Sequence, residues 1–90
     1  MKTIAITVKG KVQGVGFRYF VLRHATAIGV SGFVKNLPNG DVYIEVSGTS
    51  KQLEQLILLC NQGPAHSNVE SIQVTDIQKS FDITGFRIIG

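Results

Sequence analysis

The sequence predicts an α+β sandwich, one antiparallel sheet with two helices on one face. Three observations predict it. A segment near the start alternates apolar and polar residues with the period of a half-buried strand, and three later segments read as strands beside it. Two other segments repeat their apolar residues at helical spacing. Their order along the chain is strand, helix, strand, strand, helix, strand, and a short extra strand follows. Two strand-helix-strand units joined by a hairpin give the split, ferredoxin-like arrangement.

Taken in order, residues 3–9 (TIAITVK) put Ile4, Ile6 and Val8 on one side of the first strand. From about Arg18 to Ile28 the apolar positions Phe17, Val21, Ala25 and Ile28 recur at helical spacing, and Gly29 punctuates the end. VSGFVKN, 30–36, is the second strand, and VYIEV, 42–46, is the third, with Val42, Ile44 and Val46 toward the core. Between them LPNG signals a hairpin, because Asn39-Gly40 tolerates the positive φ of a tight turn. Thr49 followed by Gln52 resembles a capping box, opening a helix with Leu53, Leu56, Ile57 and Cys60 on one face. Gly63-Pro64 stops that helix. VESIQVTDI, 69–77, offers the fourth strand and GFRII, 85–89, the short fifth.

Nothing divides the chain, so residues 1–90 read as a single domain. At 43% hydrophobic residues the composition is that of a globular core. The lone Cys60 rules out an internal disulfide and suggests a reducing compartment. No apolar run approaches the roughly 20 residues of a membrane span, and MKTIAITVKG lacks the apolar core of a signal peptide. The expectation is a cytoplasmic monomer. Charge is uneven: Lys2, Lys9, Lys11, Arg18, Arg23 and Lys35 precede the first acid, Asp41, giving residues 1–40 a charge of +6. From Asp41 onward, three basic residues face six acids. The asymmetry suggests an anionic partner for the N-terminal half, or simply a solvated basic face.

The segment GKVQGVGFR, residues 10–18, lies between the first strand and the first helix. It is not a nucleotide P-loop, because no Gly-Lys-Ser/Thr follows its glycines. Nor is it a dinucleotide fingerprint, since Tyr19 stands where a third glycine is needed. Glycines here let successive backbone N–H groups turn into a concave nest, and a helix start adds donors and partial positive charge. Arg18 supplies a forked guanidinium that binds phosphate oxygens in pairs. A small tetrahedral dianion such as phosphate or sulfate is the natural guest.

GKVQGVGFR followed by GFVKNLPNGDVYIEVSG resembles the two hallmark segments of the acylphosphatase family, in order and at the right separation. The likeness is strong from Val8 to Gly48, weak through GPAHSNVESI, and returns at FRI near the end. The resemblance implies a small cytoplasmic enzyme that hydrolyses the carboxyl-phosphate bond of acyl phosphates without a metal, cofactor or covalent intermediate. It implies that Arg18 binds the phosphoryl group and that Asn36 positions the attacking water. It also implies that Gln13, Gly14, Val15, Gly16 and Phe17 lend backbone N–H groups to the phosphate. Lys35 and Asn39 stand where relatives often have Arg and Asp, a mild departure.

Other residues read more plainly. With one cysteine and the distant His24 and His66 there is no zinc spacing and no Cys-His nucleophile pair. His24 reads as a surface or boundary residue and Cys60 as core; Phe17, Phe20 and Phe33 read as packing residues. Lys11 and Lys35 either steer anions or are solvated. Two competing functions are a basic RNA-binding sheet and a carbamoyl-phosphate-handling module. GFVKN and VYIEV do not match an RNP-type strand pattern, and a free-standing hydrolase is the simpler reading, with no nucleic acid or membrane as partner.

Overall fold

The computed structural model describes residues 1–82 and 84–90. The chain runs β1 (Lys2–Lys11), α1 (Phe17–Ile28), β2 (Ser31–Asn36), β3 (Val42–Gly48), α2 (Ser50–Gln62), β4 (Asn68–Asp76) and β5 (Phe86–Ile88). The strands form one sheet in the order β4-β1-β3-β2-β5. This is the ferredoxin-like sandwich that the element order predicts.

Alternation in β1, β2 and β3 sets the register. Ile4 pairs with Val46, Ile6 with Ile44 and Val8 with Val42, while Val34 pairs with Ile44. These side chains are almost completely buried, and they face Phe17, Val21 and Ala25 of α1 and Leu53, Leu56 and Cys60 of α2. Each large apolar side chain buried in this way contributes about 1.5–3 kcal/mol. The next row is different. Val8 pairs with Val42, and Val42 pairs with Asn36. An asparagine therefore occupies a helix-facing position that the alternation would fill with an apolar residue.

The two helices begin differently. At α2, Thr49 Oγ1 accepts from Gln52 N–H at 3.2 Å and Gln52 Oε1 accepts from Thr49 N–H at 2.9 Å, the predicted capping box. Gln52 Nε2 also donates to Ile28 O at 3.1 Å, tying the end of α1 to the start of α2. At α1 the cap is Gly16, with no side-chain cap bond and no acid in the first turn.

The antiparallel sheet expected from the sequence holds for β4-β1-β3-β2, but β5 runs parallel to β2, pairing Gly32 with Phe86 and Val34 with Ile88, so the whole sheet is mixed. The route of the chain explains it. β4 ends with Asp76 beside Ile4, at the end of the sheet where β2 starts. The chain then crosses the face opposite the helices. Ile77 N–H donates to Thr3 O at 3.1 Å, Thr3 Oγ1 donates to Lys79 O at 2.6 Å, and Lys79 Nζ meets Glu45 Oε1 at 2.6 Å. Phe81 packs edge-on against Phe33, with centroids 6.3 Å apart. A strand arriving at the outer edge of β2 from that end runs in the same direction as β2. No helix among the described residues is long and apolar enough to cross a membrane.

Candidate active site

Five residues, 12–16, carry the chain from the sheet layer to the helix layer. Val12 and Phe17 are each 1% exposed and anchor the two ends of this loop in the core. Gly14 and Gly16 have φ of 73° and 79°, and a Cβ at either would meet no neighbour within 4 Å. Glycine stands there for its backbone conformation and not for lack of space. Left-handed glycines flanking Val15, whose φ is negative, give the alternating backbone that gathers N–H groups on one side of a loop.

The loop delivers the chain into an open helix start. The first helical bond is Phe20 N–H to Gly16 O at 3.0 Å. By helix geometry the N–H groups of Phe17, Arg18 and Tyr19 have no partner within α1, and no side chain caps them. Their dipoles leave partial positive charge at this point.

Arg18 is held from behind. Its Nη1 donates to the main-chain oxygen of Gly90, and Asn36 N–H donates to the same oxygen at 3.2 Å. Ile89 N–H bonds Val34 O at 3.0 Å, which fixes Gly90 beside the end of β2. One acceptor thus brings the guanidinium and the asparagine together from 18 residues apart. Asn36 Oδ1 is the buried side-chain oxygen that has no hydrogen-bond partner among the described residues. Buried polar atoms are nearly always satisfied, so this oxygen is a feature that the protein's own packing does not account for.

A cleft of about 290 Å³ opens at this place. It brings together Gln13, Gly14, Gly16, Phe17, Arg18 and Asn36, which sequence reasoning had named, and adds Val12, Tyr19 and Ile88. Val15 does not line it; its half-buried side chain packs against the core. Among the described residues no three of His, Cys, Asp and Glu converge, and the polar side chains that line the cleft are those of Gln13, Arg18, Tyr19 and Asn36.

The basic excess of the N-terminal half is spread over several faces. Lys9 pairs with Asp41 at 2.8 Å and Lys2 with Asp76 at 3.5 Å. The Lys9 ammonium bonded to Asp41 holds that carboxyl below the usual range. Lys35 lies over the Tyr43 ring at 5.8 Å on the side of β2 opposite Asn36, as alternation requires. Arg18 is the cation that lines the cleft. Cys60 is core as expected, 1% exposed, with burial pushing its thiol up to about 12. His24 is half-buried, its ring 4.5 Å from that of Phe20.

Sequence reasoning missed two features. One is the support of Arg18 by Gly90, a contact across 72 positions that no local pattern announces. The other is the Gln13 side chain, whose Nε2 donates to Leu37 O and to Asp41 O, each at 2.8 Å. The loop is thereby laced to the β2–β3 hairpin.

The family model that matches the chain is Acylphosphatase, over residues 4–88. The chain belongs to the acylphosphatase family. It is 46% identical to an acylphosphatase of Caldivirga maquilingensis, over 94% of this chain and 90% of that one. It superposes on the crystal structure of acylphosphatase from Bacillus subtilis with a TM-score of 0.95, at 36% identity, each chain covered completely. It also resembles a part of full-length HypF, solved in a phosphate- and nucleotide-bound form. There the TM-score is 0.87 at 33% identity, covering 99% of this chain but 12% of that one. Matched by acylphosphatases along nearly its whole length, the chain is an enzyme and a hydrolase.

Proposed function

We propose that this acylphosphatase-family chain hydrolyses acyl phosphates to a carboxylate and inorganic phosphate by direct attack of water on phosphorus, with no metal ion. Arg18 and the loop amides of residues 13–17 bind the phosphoryl group, and Asn36 holds the attacking water. The whole chain, 1–90, works as one domain and as a cytoplasmic monomer. The observation that carries the reading is the meeting of Arg18 and Asn36 on the Gly90 oxygen beside an uncapped helix start.

The chemistry follows from the bond that breaks. An acyl phosphate is a mixed anhydride whose leaving group is a carboxylate. Its conjugate acid has a pKa of about 4, so the departing oxygen needs no proton at neutral pH. Phosphoryl transfer passes through a loose transition state, in which positioning and charge stabilisation supply most of the rate. The guanidinium fork and the helix-start amides supply charge to the equatorial oxygens. The Asn36 carboxamide lines the cleft and, with one acceptor oxygen and an amide donor, holds a water facing phosphorus. A phosphate oxygen takes the proton as the new bond forms.

An alkyl phosphate monoester puts the scheme to the test, because it leaves as an alkoxide and needs a proton donor. No histidine, aspartate or glutamate lines the cleft. With chelator present, kcat/KM for an alkyl monoester is expected to lie at least about 10³-fold below that for an aryl acyl phosphate, since a general acid typically contributes 10²–10⁴-fold. Comparable turnover of the two substrates would overturn the scheme.

A further inference from the structure

The Gln13 carboxamide joins the phosphate loop to the hairpin that carries Asn36. Its Nε2 has two hydrogens and donates to two carbonyls, Leu37 O and Asp41 O, each at 2.8 Å. Leu37 directly follows Asn36, and Asp41 directly precedes β3, so the two bonds clasp both sides of the hairpin neck. The neck is itself closed by Leu37 N–H to Asp41 O at 2.8 Å and Gly40 N–H to Leu37 O at 3.1 Å. The Asp41 carboxylate stiffens it further, accepting from Lys9 Nζ at 2.8 Å and Asn39 Nδ2 at 3.1 Å, while Asp41 N–H donates to Asn39 Oδ1 at 3.0 Å. Gln13 thus grips a rigid object.

Resting on the roles given above to Arg18 and Asn36, we propose that the Gln13 side chain is a positioning residue for water attack. It sets the distance and angle between the loop that holds the phosphoryl group and the carboxamide that holds water. In-line attack tolerates little error: a 1 Å misplacement costs about 10²-fold in rate. Phosphate capture depends on the loop, the helix start and Arg18, all on one side of the clasp. Water placement depends on both sides. Loss of the clasp therefore falls on kcat more than on phosphate affinity.

The test combines Gln13→Met, which keeps the length and removes both donors, with Asn36→Ala and the double variant. An aryl acyl phosphate serves as substrate and inorganic phosphate as competitive inhibitor. Gln13→Met is expected to lower kcat about 10–100-fold, with the phosphate inhibition constant within about 2-fold of wild type. In the Asn36→Ala background the same change is expected to cost less than about 3-fold, because residues acting through one another are not additive. A full multiplicative loss in that background, or phosphate affinity falling in step with rate, would overturn the proposal. A normal kcat for Asn36→Ala alone would instead remove the reading beneath it.

Gln13→Glu gives a second readout should the methionine variant fold poorly. Its carboxylate donates nothing at neutral pH, but the protonated acid regains one donor, so its rate relative to wild type is expected to rise as pH falls toward about 4. A ratio flat with pH would count against the clasp.

Discussion

Arg18→Lys is expected to lower kcat/KM for an aryl acyl phosphate by about 10²–10³-fold, a loss of about 3–4 kcal/mol of transition-state stabilisation. The variant keeps the charge, so the size of the loss measures geometry. A guanidinium offers five N–H donors in one plane. In this enzyme one of them is committed to the Gly90 oxygen, which aims the rest of the fork into the cleft beside Asn36. An ammonium on a flexible stem has three donors pointing in tetrahedral directions. It cannot bond Gly90 and still meet two phosphoryl oxygens side by side. The loss should appear both in the inhibition constant of inorganic phosphate and in kcat, because in the proposed scheme the fork touches the phosphoryl group in the ground state and in the transition state. Steady-state kinetics with phosphate inhibition checks it, and near-normal values would remove Arg18 from the phosphoryl site.

Asn36→Ala is the second large effect, and it should separate binding from turnover. The variant is expected to lower kcat about 10²-fold while leaving phosphate inhibition within a few-fold of wild type. Its stability carries a further sign. Asn36 Oδ1 makes no hydrogen bond to the protein, so its removal breaks none. The unfolding free energy should therefore stay within about 1 kcal/mol of wild type or rise, as when a polar group kept for function is deleted. Denaturant unfolding reads this directly. A variant that unfolds easily and binds phosphate weakly would make Asn36 a structural residue.

Most of the fold was legible because its signals are local. Alternation in TIAITVK, the Asn39-Gly40 turn and the Thr49–Gln52 capping box each state a backbone preference within a few residues, and the structure follows them. The site loop was legible for the same reason, since two left-handed glycines before a helix start are a local feature. β5 was readable as a strand but not in its direction. Three residues carry no register, and their parallel pairing depends on a crossing fixed by the Thr3–Lys79 and Phe33–Phe81 contacts, each between residues far apart in sequence. The Gln13 clasp and the Gly90 support remained hidden because a lone glutamine or a glycine near the end of the sequence announces no partner.

In the proposed mechanism, oriented backbone dipoles and one planar cation hold a phosphoryl group while the amide side chain of residue 36 aims solvent at it. Hydrolysis of an aryl acyl phosphate in ¹⁸O-enriched water, followed by mass analysis of both products, tests that statement most directly. Attack at phosphorus places the heavy oxygen in inorganic phosphate and leaves the carboxylate unlabelled. Label in the carboxylate would mean that water attacks the acyl carbon, and the roles given to Arg18 and Asn36 would be wrong.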